Sequence, residues 1–182
     1  FDEVLNSYPQ SVEARDALFL SGQARYAAGH EEAAVERWTR YVEAHPGGDR
    51  ADEALLGIAR LSAGAAGLGV LDRLLSDHPD SPLADQARFE SAERLSADGR
   101  CAEARPLYSQ VAQNRGELAP AALYGLAFCL HEEGANDRAG EALDALLASD
   151  GVSDELATAA LELSVYVHAA AGDADAASRS TE

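Results

Sequence analysis

Gly29, Gly64, Gly99 and Gly134 follow one another at intervals of 35 residues, and Gly172 comes 38 later. A period of that size restricts the chain to stacked copies of one small unit, because such a unit cannot bury its apolar face alone. The glycines are flanked by helix-forming runs such as "EEAAVERW" and "ELATAALELS", and β-branched residues are sparse. Each glycine therefore reads as the left-handed end of one helix, where the chain reverses into the next. Seventeen residues after Gly29 stands Pro46, and the same interval after Gly99 and Gly134 leads to Gly116 and Gly151. Each unit is then helix, glycine turn, helix, helix-breaking exit, and the fold class is all-α.

Three units carry an alanine five residues past the turn and a bulky residue four later: Ala34/Trp38, Ala104/Tyr108 and Ala139/Leu143. A small residue lets two helices approach closely, and a large one fills the gap to the next pair. Trp38, the only tryptophan, is thus predicted to be an inter-helix plug. Gly22 and Gly57 are paired in phase with Ala92 and Ala127. The stretch 64–75, "GAAGLGVLDRLL", reads as a second helix two residues short and softened by Gly67 and Gly69. Ser81-Pro82, Asp49 and Ser153 are the predicted helix starts. The repeat boundaries fall at 11–48, 49–80, 81–117 and 118–152, with the end of a preceding repeat at 1–10 and a partial repeat at 153–182.

Gly22, Gly29, Ala34, Trp38 and Pro46 in the first unit resemble the tetratricopeptide repeat (TPR) pattern. The resemblance implies a right-handed α-α superhelix of antiparallel helix pairs, with about four full repeats and a fragment at each end. "SYPQS", "HPGGDRADEAL" and "HPDSPLADQA" are similar to joints in a bacterial cell-envelope subgroup, which includes the periplasmic Tol–Pal coordinator protein and the TPR lipoprotein of the outer-membrane barrel-assembly machine. That similarity implies a periplasmic or envelope-associated scaffold. A sensory or adaptor arm of a longer cytoplasmic regulator, or a module that self-associates through exposed end helices, are the other readings.

The charge narrows the partner. Fourteen basic residues, all arginine, stand against 32 acidic ones, a net −18. So acidic a chain repels phosphate backbones and anionic lipid, which argues against nucleic acid. No apolar run reaches the ~20 residues of a membrane span. The five histidines show no zinc-ligand spacing, and neither a nucleotide loop nor a Ser-His-Asp order is defensible. The expectation is a non-enzyme without cofactor.

In a helical array the first helix of each pair lines the inner face, where binding is concentrated. One helical phase gives Phe19/Gln23/Tyr26, then Ala54/Ile58/Leu61, Phe89/Glu93/Ser96, Tyr124/Phe128/His131 and Glu162/Tyr166/Ala169. Six of the eleven aromatic residues fall on it. The candidate peptide-binding residues are Phe19, Gln23, Tyr26, Ile58, Phe89, Glu93, Tyr124, Phe128, His131 and Tyr166. The competing reading is that some of these aromatics only complete helix packing. No Lys, Arg or Asn occupies this stripe, so the resemblance does not extend to the TPR proteins that grip a terminal carboxylate. The expected partner is a peptide with apolar anchors and some basic character. Cys101 and Cys129 are predicted neighbours, as two small buried thiols or as a disulfide.

Overall fold

The computed structural model describes residues 12–172; the end of a preceding repeat expected at 1–10 lies outside them, as do residues 173–182 of the partial repeat expected at 153–182. Among these residues there are nine helices and no strand. They are α1 (Val12–Ala27), α2 (Glu31–Ala44), α3 (Ala51–Leu61), α4 (Gly64–Asp77), α5 (Ala84–Ala97), α6 (Cys101–Gln113), α7 (Ala119–Glu132), α8 (Asn136–Leu147) and α9 (Asp154–Ala171). By internal packing the chain divides after Ala87, within α5, and each unit is described by itself.

All five periodic glycines are left-handed, with φ of 77° at Gly29, 52° at Gly64, 74° at Gly99, 76° at Gly134 and 81° at Gly172. At Gly29 the turn is closed by the amide of His30, which donates to the carbonyl of Arg25 at 2.9 Å. That bond satisfies one carbonyl that the end of a helix would otherwise leave open. The exit glycines behave differently. Gly151 is left-handed (φ 73°), whereas at the other exit Arg115 takes the positive φ, 53°, in place of Gly116.

In the first unit the core is built from α1–α4 around Trp38, Tyr41, Leu55, Leu71 and Leu74, all at or below 5% exposure. The indole of Trp38 lies between two glycines. A Cβ at Gly22 on α1 would stand 2.5 Å from its Cδ1 and Nε1, and one at Gly57 on α3 would stand 2.7 Å from its Cζ3. The plug is as expected, but the two glycines are not equivalent: Gly22 meets the ring from its own repeat and Gly57 from the next.

The unit at 49–80 is shortened in its first helix and not in its second. α4 is 14 residues long, the same as α2. The missing residues come instead from α3, 11 residues against 16 in α1, and from its two-residue turn, Ser62 and Ala63. The Ser62 hydroxyl donates to the Ile58 carbonyl at 2.7 Å and closes α3 early. Gly67 and Leu71 in α4 thus take the places that Ala34 and Trp38 hold in α2, and both are buried.

Of the predicted caps, Ser153 accepts the Leu156 amide at 3.2 Å, and Ser81 accepts that of Leu83 at 3.0 Å. Asp49 does not cap. Arg50 precedes α3, and Asp49 lies exposed near Arg15.

Gly69 sits in the middle of α4 with nothing within 4 Å of where its Cβ would be. Glycine in a helix interior costs about 0.5–1 kcal/mol relative to alanine. Gly69→Ala is therefore expected to stabilise the protein by about that amount in urea denaturation and to slow amide exchange in α4. A neutral or destabilising result would remove the account of α4 as softened by its glycines.

The second unit repeats the construction. Tyr108 on α6, 1% exposed, is its plug; a Cβ on Gly125 of α7 would overlap the phenol ring, and Ala92 of α5 is fully buried. Gly125, two residues before the expected Ala127, is thus the counterpart of Gly57. Leu143 and Leu146 on α8 and Val167 on α9 fill the rest of the core at 0% exposure.

Candidate functional site

The predicted residues fall in both units, and the structure places them as follows. In the first, a cavity of about 390 Å³ is lined by Phe19, Gln23 and Tyr26 from α1, by Trp38, by Glu53, Leu56, Gly57 and Arg60 from α3, and by Leu83 and Gln86. Phe19 is 2% exposed and meets Tyr41 edge-on with centroids 5.6 Å apart, so it is core first and cavity floor second. Arg50 lies 4.3 Å over the Phe19 ring while its guanidinium pairs with Glu53 at 3.1 Å. Tyr26 is half exposed and tilted against Trp38 at 5.9 Å between centroids.

Ile58 is a correction. It is buried in the first unit's core, and Leu56 and Arg60, two residues to either side, reach the cavity. A spacing of 35 between turn glycines puts Ile58 at the phase of Gln23, but Gly64 opens α4 directly, whereas Gly29 stands two residues before α2. The two-residue shift puts Leu56 at the phase of Gln23, and Arg60, one turn further along α3, also lines the cavity. A count backward from the exit prolines Pro46 and Pro79, 33 residues apart, puts Leu56 at the phase of Gln23.

In the second unit Phe89 is half buried, edge-on to Tyr108 at 5.9 Å, and the exposed Glu93 accepts a hydrogen bond from the Tyr108 hydroxyl. Tyr124 is half buried, while Phe128 and Tyr166 are 37% and 67% exposed. The His131 ring, through Nδ1, pairs with Asn136 Oδ1 at 2.7 Å at the α7–α8 turn, a structural contact. Burial first, then the bond to Glu93, pushes the Tyr108 phenol well above its ordinary value of 10.0.

An unfolded phenol ionises near pH 10, and the folded one resists. The stability Tyr108 contributes is therefore complete below pH 10 and is lost as pH rises past it toward the folded pKa. The urea midpoint's Tyr108-dependent part should hold from about pH 8 to about pH 10 and fall above it, and the fall should be smaller in Tyr108→Phe.

Cys101 and Cys129 form a disulfide, with Cα atoms 5.0 Å apart. Of the two readings of this pair, the bonded one is present. The Ser96 hydroxyl lies 3.5 Å from the Cys129 sulfur. Among the described residues no group of His, Cys, Asp or Glu is arranged to hold a metal ion, and no helix is long and apolar enough to cross a membrane.

Helix pairs reversing at left-handed glycines and wedged by one bulky residue define a helical-repeat protein. Models of the tetratricopeptide repeat match residues 95–163 and residues 16–48, and the chain carries tetratricopeptide repeats in both units. Its fold is that of TPR-like solenoids. A MamA crystal structure superposes with a TM-score of 0.76 at 14% identity, over 94% of this chain and 90% of that one. A tetratricopeptide repeat protein from Parabacteroides merdae gives 0.75 at 14% identity, over 92% and 64%. The putative kinesin light chain TPR-like repeats of Podosopora anserina give 0.66 at 16%, over 94% and 93%. Comparison with curated proteins finds no match.

Proposed function

We propose that the protein is a non-catalytic scaffold that binds a peptide segment of a partner protein on the faces of its first helices, in the bacterial cell envelope. The observation that carries the binding reading is a set of aromatic side chains left open on those faces. Tyr26, Phe128 and Tyr166 are more than a third exposed in a chain where aromatics are only 6% of residues. Aromatic side chains offer large contact area at low entropic cost and dominate binding hot spots, where truncation typically costs ~2 kcal/mol or more. The charge of −18 favours a basic partner, with an on-rate that falls as salt rises.

The envelope placement rests on the joints at 45–55 and 78–87 and on the disulfide, since such bonds persist in oxidising compartments and are rare in a reducing cytosol.

Phe128→Ala, which truncates a side chain already 37% exposed, is expected to weaken partner binding at least tenfold while leaving helix content unchanged by circular dichroism. Normal binding together with a markedly lower melting temperature would make Phe128 a packing residue and defeat the reading.

A further inference from the structure

The two plug residues differ in one respect. Seventy residues separate Trp38 from Tyr108, and seventy separate Gln23 from Glu93. In the second unit the polar atom of the plug is satisfied, because the Tyr108 hydroxyl donates to Glu93. In the first unit the corresponding neighbour is Gln23, and Trp38 Nε1 is buried without a hydrogen-bond acceptor. A buried donor in that state costs roughly 1–3 kcal/mol, and natural folds seldom leave one without a reason. The ring is 5% exposed and lines the cavity, and its Nε1 edge lies against Gly22, the residue before the cavity-lining Gln23.

We propose that this cavity is the primary anchor site for the partner, and that Trp38 Nε1–H donates to a main-chain carbonyl of an extended peptide whose apolar side chain fills the cavity. The inference rests on the scaffold reading and specifies its ligand. Phe19, Tyr26, Trp38, Leu56 and Leu83 supply apolar walls, and about 390 Å³ suits one large side chain with adjoining backbone. Tyr26, 52% exposed, and the exposed Gln23 are the groups that must rotate to admit the carbonyl to the indole. Arginine or lysine beside the anchor suits the acidic chain. The Gln23 amide oxygen, a weaker acceptor than the Glu93 carboxylate, does not hold the indole, which stays unpaired.

Since Trp38 is the only tryptophan, it gives a single indole N–H resonance in the ¹⁵N-labelled chain. A random-peptide display library is panned on the intact chain, and the selected peptides are synthesised and titrated. Selected peptides should carry an aliphatic or aromatic residue next to Arg or Lys and should shift that resonance downfield on saturation. Trp38→Phe, which keeps an aromatic plug but removes the donor, should weaken them about tenfold. Gln23→Glu should do the same by a different route, replacing the neutral amide by a charged acceptor within the chain and shifting the resonance before any peptide is added. Circular dichroism shows that each variant is folded; should Trp38→Phe fail to fold, Gln23→Glu alone decides. Peptides that bind but leave the indole resonance unmoved, or that bind Gln23→Glu undiminished, overturn the anchor site and leave the scaffold reading in place. A library that yields no binding peptide overturns both.

Discussion

Trp38→Ala is expected to lower the unfolding free energy by about 3–5 kcal/mol, the cost of deleting a large buried aromatic when its site cannot collapse. The first unit gives a specific reason why collapse is blocked. The indole spans the space between the backbones of α1 at Gly22 and α3 at Gly57, and neither glycine has a side chain to move into the void. Against a typical total stability of about 5–15 kcal/mol, a loss of that size brings the unit near its unfolding threshold. Gly22→Ala attacks the same contact from the other side. Its Cβ would stand 2.5 Å from the buried ring, which Gly57 backs on the far face, so overpacking of about 1–3 kcal/mol follows. In the double variant that overpacking penalty should vanish, because alanine at position 22 then enters empty space. Urea denaturation followed by circular dichroism measures the cycle. Additive costs would mean that the two residues do not share a contact, and the plug would have to be abandoned.

Much of this fold is legible in the amino-acid sequence because its signals are local. A glycine at a helix end reads as left-handed without tertiary information, and all five periodic glycines are. An alanine followed four residues later by a bulky side chain marks a close helix crossing, as at Ala34/Trp38 and Ala104/Tyr108. What the spacing does not reveal is where a short unit has lost its residues. The interval from Gly64 to Pro79 looked like a truncated second helix, but the loss falls on α3 and its turn. That choice depends on which helix keeps its core contacts, and Leu71 and Leu74 hold α4 in register at 0% exposure. The two-residue displacement carries into the candidate site, where Leu56 rather than Ile58 lines the cavity. The unpaired indole was beyond reach for another reason. A hydrogen-bond deficit is a property of three-dimensional neighbours, and Gln23 against Glu93 is an informative difference only once the plug is known to lie beside each.

Reducing the Cys101–Cys129 bond is expected to destabilise the second unit by about 3–4 kcal/mol, the entropy that closing a loop of 28 residues removes from the unfolded chain. The bond joins the first residue of α6 to the later half of α7, and the two cysteines are 7% and 0% exposed. Burial makes reduction slow in the native state, because the reductant reaches the sulfurs only when the pair of helices opens. The folded product should nevertheless keep its helices. Both cysteines lie within α-helices, whose backbone bonds owe nothing to the cross-link, and a buried thiol packs as a small apolar residue. Reduced protein, and the Cys101→Ala/Cys129→Ala double variant, should therefore show unchanged helix content and a urea midpoint displaced to lower denaturant. The two should agree closely if the effect is chain entropy, since each removes the same constraint. Thiol titration of unreduced, denatured protein should find no free thiol. Two free thiols, or a midpoint that reduction leaves in place, would show that the cross-link does not hold this pair of helices, and the support it lends to an oxidising compartment would go with it.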